Sequence, residues 1–125
     1  STLATMAGDA ERYKVGETTH DPKYDGLNKL SILGSSVAFS EDTSTQCTYV
    51  IGNEDHTLGN CLRYMIMKDE RTDFCGYSIP HPSERKIHLR LQSKGKTPCN
   101  ELLRAGLENM KAVGNHMLKV FEEEV

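Results

Sequence analysis

The run NEDHTLGNCLRYMIMKDERTDFCGYSIPHP, from Asn53 to Pro82, decides the fold. It opens with Glu54-Asp55-His56-Thr57, where Asp55 or Thr57 can cap the orphan amides of a helix and two acids oppose the positive end of its dipole. Leu58, Cys61, Leu62, Met65 and Ile66 follow at i, i+3, i+4, i+7 and i+8, which puts one continuous apolar stripe on that helix. Arg63 and Lys68 fall outside the stripe. Phe74 to Ile79 reads as a strand, stopped by Pro80-His81-Pro82 because each proline fixes φ and removes a backbone donor. Gly59 in the first helical turn costs up to ~1 kcal/mol of propensity, which a close backbone approach would explain. Gly76 inside the strand carries a similar implication. The two glycines predict tight packing of helix on strand, and Asn60 is placed to bond a neighbouring loop.

Outward from this run the periodicities continue. Before it, Leu30 and Ile32 alternate with Lys29 and Ser31 as a short first strand, Glu41-Asp42-Thr43-Ser44 marks a polar turn, and Cys47, Tyr49 and Ile51 alternate as a second strand. After it, Ile87, Leu89 and Leu91 alternate with His88, Arg90 and Gln92, a strand with one face in and one face out. Thr97-Pro98 then starts a helix, with Thr97 as cap and Pro98 at the first position, and no later proline interrupts it. From Pro98 to about Glu123 it would be roughly 39 Å long. Its stripe is Leu103, Leu107, Met110, Gly114, Met117 and Phe121. A sheet of short strands spans only ~20 Å, so the last turns, with Met117, Leu118, Val120 and Phe121, should project with their apolar face uncovered. Residues 1–26 hold few large apolar groups and read as a disordered tail, leaving residues 27–125 as the domain.

Composition bounds the function. A chain of 125 residues, 37% hydrophobic and without tryptophan, suits one small α+β domain that completes its core against a partner. Net charge is −3, which excludes a global field for nucleic acid or anionic membrane. The basic run Arg85, Lys86, Arg90, Lys94 and Lys96 reads as a solvated strand face. Cys47, Cys61, Cys75 and Cys99 stand singly with no Cys-x-x-Cys pair, so zinc-ribbon spacing is absent. With no signal peptide and no apolar run of membrane-spanning length, a reducing compartment is expected and the thiols read as small, partly buried hydrophobes.

The Asn53 to Pro82 run also invites an enzymatic reading, since it gathers carboxylates, histidines, a hydroxyl and a thiol. Cys61, however, sits within the apolar stripe with no glycine-rich anion loop beside it. His56 and His81 lie on different elements with no third group to orient them. An assembly protein, a small enzyme using Cys61 or His56, and a nucleic-acid module using the basic run are the three classes in play. The apolar stripes favour the first.

The blocks Glu54-Asp55-His56-Thr57-Leu58-Gly59-Asn60 and Phe74-Cys75-Gly76-Tyr77-Ser78-Ile79-Pro80-His81-Pro82, in this order, closely resemble the alpha-like motif of RNA polymerase subunits. The likeness covers about Lys29 to Val125. Cys75 before Gly76 and Ser83-Glu84 after the second proline resemble the small alpha-like subunit shared by RNA polymerases I and III. The polymerase II counterpart usually has Ala before the glycine. The resemblance implies a four-stranded antiparallel sheet with two helices on one face, the last helix long and projecting. It implies a heterodimer with the larger alpha-like subunit, serving as the platform for the second-largest subunit, with small zinc-binding subunits nearby. It further implies no catalysis, no cofactor, no metal, no direct nucleic acid contact, no membrane contact, and a location in the nucleus including the nucleolus. Leu58, Leu62, Met65 and Ile66 would meet the partner's equivalent helix, and Leu103, Leu107, Met110, Met117 and Phe121 would run along its last helix. The amino-terminal half of the long helix should serve mainly the chain's own core and the remainder the partner.

Overall fold

A computed structural model describes residues 20–35 and 39–125. The alternating segments form β1 (Leu30–Ile32), β2 (Gln46–Gly52), β3 (Thr72–Ser78) and β4 (Lys86–Ser93). They lie side by side in the order β1-β2-β4-β3, each pair antiparallel. Register places Cys47 opposite Leu91, Tyr49 opposite Leu89 and Ile51 opposite Ile87, so the period of two directs all six side chains to one face. The helices α1 (His56–Met67) and α2 (Cys99–Glu124) cover that face. Leu62 and Ile66 from α1 and Leu102 and Leu103 from α2 join the inward strand residues in a single core. Each fully buried Leu or Ile contributes roughly 1.5–3 kcal/mol.

Three local features depart from the sequence expectation. β3 begins at Thr72 rather than Phe74, with a register shift between those two residues, and ends at Ser78. The irregularity lets Thr72 turn inward, where its hydroxyl donates to Ile66 O at 2.8 Å and ties the end of α1 to the start of the strand. Second, Pro98 and not Thr97 is the cap of α2. The first amide of that helix, on Cys99, donates to Ser44 O at 2.8 Å, while Thr97 O accepts from the Ser93 hydroxyl at 2.6 Å. A distant loop carbonyl has taken the part expected of a local side chain.

The third departure concerns the expected tail. Residues 1–19 of it lie outside the described residues, but residues 20–26 are docked on the domain. 3₁₀ turns run from Pro22 to Tyr24 and from Gly26 to Asn28. Asp21 N donates to Asn53 Oδ1 at 2.7 Å, and Asn53 Nδ2 returns a bond to Asp21 O at 2.9 Å. The Tyr24 ring lies against Gly52, where any Cβ would overlap it. The Tyr24–Gly52 contact and the reciprocal Asp21–Asn53 bonds tie the segment to the domain, and average composition does not reveal such a match.

Candidate partner-binding surface

The helix-opening motif fixes where α1 points. Asp55 caps it, accepting from Thr57 N at 2.9 Å, and that backbone bond holds the Asp55 carboxyl below its ordinary pKa, with Arg85 at 3.6 Å assisting. Glu54 pairs with Lys29 at 2.9 Å, next to β1. His56 Nδ1 and the Tyr77 hydroxyl are 2.9 Å apart with their rings edge to face. Gly59 sits where a Cβ would come within 2.6 Å of the Tyr77 ring, so α1 does approach β3 closely at Gly59. Gly76 has a different role from the one expected. Its neighbour is the Phe74 ring, which lies over it on the strand face turned away from the helices. Asn60 bonds Arg63 within the helix, at 3.1 Å, and not a neighbouring loop.

The motif assembles no nucleophile. His56 and Cys61 are five residues apart on one helix, hence about 140° around it and ~7.5 Å along it. Cys61 is exposed, not packed within the stripe as its spacing suggested. Buried Cys75 has its thiol pushed up to about 11 by desolvation, which holds it neutral and inert. In the basic run, Arg85 faces Asp55, Lys86 lies 2.9 Å from Glu84, and Arg90 reaches Gln46 at 3.4 Å.

The apolar stripes divide sharply. Leu62 and Ile66 are 0% exposed and Leu103 only 2%, so these three belong to the chain's own core and are withdrawn from the surface a partner can reach. The reason is the helix crossing. At Gly106 a Cβ would stand 2.6 Å from Ile66 Cγ1 and 3.4 Å from Leu62 Cδ1, so the missing side chain brings α2 down onto α1 and seals those residues between them. Leu58 and Met110 pack partly against the core, and Met65 is half-buried. Leu107, Met117 and Phe121 are exposed, the last two by 65% and 53%.

Beyond Met110 every residue is exposed, and the helix continues to Glu124, about 21 Å further. Val113, Met117, Val120 and Phe121 on this overhang keep the spacing of three and four set by Leu102, Gly106 and Met110. The face that is core near Cys99 therefore runs without a break into a face that no other described residue covers. Val113, exposed and apolar, was legible in the same spacing but stands outside the stripe read from sequence. The other omission is a cavity of about 280 Å³ where Leu30 and Phe39 meet Leu103 and Leu107. It joins elements distant in sequence, so no periodicity announces it.

A sheet with both helices on one face, one of them extending an uncovered apolar stripe, is a module built to dimerise. Residues 46–120 match the RNA polymerase Rpb3/Rpb11 dimerisation domain, and the chain belongs to that family. It is similar to the DNA-directed RNA polymerases I and III subunit RPAC2 of Danio rerio, 56% identical over 60% of this chain and 67% of that one. It is 39% identical to the DNA-directed RNA polymerases I and III subunit rpc19 of Dictyostelium discoideum, across 80% of this chain and 79% of that one. It is 44% identical to the DNA-directed RNA polymerases I and III subunit RPAC2 of Saccharomyces cerevisiae, over 78% of this chain and 66% of that one. Among solved structures, DNA-directed RNA polymerase subunit L from Thermoplasma acidophilum shares the fold at a TM-score of 0.60, with 20% identity, covering 76% of this chain and 86% of that one.

Proposed function

We propose that the chain is a non-catalytic assembly subunit of DNA-directed RNA polymerases I and III, acting in the nucleus, including the nucleolus. The observation that carries this reading is the apolar overhang of α2, continuous with the core and uncovered past Met110. Family membership and the shared naming of its relatives support it. The chain pairs with the larger alpha-like subunit, laying Leu107, Met110, Met117 and Phe121 along that partner's last helix while Leu58 and Met65 edge the contact. The pair is the platform on which the second-largest subunit assembles, and small zinc-binding subunits attach nearby. Obligate interfaces of this kind bury about 2,000 Å² or more and resemble a domain core cut in two.

The test is co-purification of a Met117→Asp, Phe121→Asp double variant with the polymerase subunits. Pairing should be lost while the circular dichroism of the chain is retained. Undiminished recovery of the partner would overturn the assignment. Affinity purification of the wild-type chain should bring down the largest subunits of polymerases I and III and not that of polymerase II.

A further inference from the structure

β3 stands at one side of the sheet, beyond β4, and the ladder fixes which of its backbone groups are free. Asn53 N donates to Arg85 O and Ser93 N to Thr45 O, so the odd-numbered residues of β4 turn their amides and carbonyls toward β2. Its even-numbered residues serve β3. Of these, His88, Arg90 and Gln92 lie opposite Ser78, Gly76 and Phe74, which leaves the amides and carbonyls of Cys75 and Tyr77 pointing away from the sheet. No described residue bonds to them.

Proteins blunt such edges with charge, proline, irregularity or short length. The opposite edge is short, since β1 has three residues. On β3 the register shift guards only the Thr72 end, and from Phe74 to Ile79 there is neither a charge nor a proline. The strand is also held in place. The Tyr77 hydroxyl is 2.9 Å from His56 Nδ1, its ring fills the space left by Gly59, and the Phe74 ring lies over Gly76 while remaining 47% exposed. A preorganised, unguarded edge is suited to taking one more strand.

We propose that the β3 edge receives an extended segment of another polymerase subunit, which becomes the fifth strand of the sheet. This rests on the reading of the chain as a polymerase assembly subunit. The free groups of Cys75 and Tyr77 bond the backbone of that segment, and side chains select it. On the face away from the helices, the exposed Phe74 ring offers a cross-strand contact to a bulky apolar residue. At the Thr72 end, Glu70 and Asp73 are exposed and have no ion pair among the described residues, so the segment carries Lys or Arg there and is otherwise uncharged. A second copy of this chain fits less well. Paired about Gly76, it would set Ile79 against Asp73 and supply no cation to it.

Hydrogen exchange at single-residue resolution, on the full-length chain alone and on the polymerase assembly purified with it, tests the proposal. β4 protects Phe74, Gly76 and Ser78 in both. The amides of Cys75 and Tyr77 should exchange at least ~10-fold more slowly in the assembly. A benzophenone side chain in place of Ser78 should cross-link there to a segment of another subunit. Phe74→Lys with Ser78→Lys puts charge on the edge, so this variant should keep its pairing through α2 and lose the slow exchange at both amides. Equal exchange in chain and assembly overturns the proposal, as does slow exchange that survives in the double-lysine variant. Cross-linking to a second copy, or to residues 1–19 of this chain, overturns it as well. Absence of polymerase subunits from the purification sinks the assembly reading and this proposal with it, whereas their presence with an unprotected edge sinks this proposal alone.

Discussion

At the scale of single residues, two glycines on α2 make opposite demands. Gly106 is filled from outside by Ile66 and Leu62 of α1, so a larger residue has nowhere to go. Gly106→Leu should destabilise the chain by about 1–3 kcal/mol, read as a lowered unfolding midpoint. Gly114, two turns on, has no atom within 4 Å of a Cβ placed there. In the chain alone Gly114→Ala should strengthen the helix by up to ~1 kcal/mol. If a partner backbone crosses at Gly114, the same change should weaken pairing, about tenfold for each 1.4 kcal/mol of crowding, in a titration of the complex. Asp55 offers a pH test. Its folded pKa is depressed by the Thr57 amide, so its stabilisation is complete above the unfolded value near ~3.9 and is lost as pH falls through the folded one. Asp55→Ala should cost about 1 kcal/mol at neutral pH as a lost cap. Asp55→Asn should keep most of the cap while flattening the acid limb of the stability curve, both measured by urea unfolding.

Among elements, α2 is the one whose two halves should behave as different materials. Its first three turns carry Leu102, 0% exposed, and Leu102→Ala should cost about 2–5 kcal/mol of the chain's own stability. Deleting residues 111–125 removes only exposed side chains, so the unfolding midpoint of the chain should move little while partner recovery in a pull-down falls to background. The elements themselves were legible because each rests on local chemistry: β2 and β4 on strict alternation, α1 on its acidic cap and stripe, and α2 on Pro98 and the proline-free run after it. What sequence could not divide was the stripe. Leu62 and Leu107 look alike in periodicity, and only the helix crossing at Gly106 decides that one is core and the other surface. The Ser44 carbonyl that meets the start of α2, the Tyr24 ring over Gly52 and the inward turn of Thr72 were likewise unreadable. Each joins residues that are distant in sequence or shifts the alternation by one.

Taken whole, the molecule carries an apolar stripe along the free length of α2 and a basic run on and beside β4, and the two candidate surfaces differ in what they predict about salt. Val113, Met117, Val120 and Phe121 line the free length of α2, with Lys111, Lys119 and Glu122 interspersed, whereas Arg85, Lys86 and Arg90 sit on or beside β4 with Asp55, Glu84 and Gln46 as neighbours. Pairing through the first region is driven by burial, which salt does not screen, while charged contacts fade as the Debye length shrinks from about 10 Å at 0.1 M to about 3 Å at 1 M. The affinity of the chain for its polymerase partner should therefore change by less than about tenfold across that range, since surface ion pairs contribute only about 0–1 kcal/mol each. A nucleic-acid module resting on six to ten phosphate contacts would instead lose about 10³–10⁵ in affinity between 50 and 200 mM salt. Sedimentation of the complex over a salt series separates the two. A co-sedimenting pair at 1 M salt places the binding energy in the α2 overhang, and dissociation below 0.3 M would move it to the charged strand face and sink the dimerisation reading of that helix.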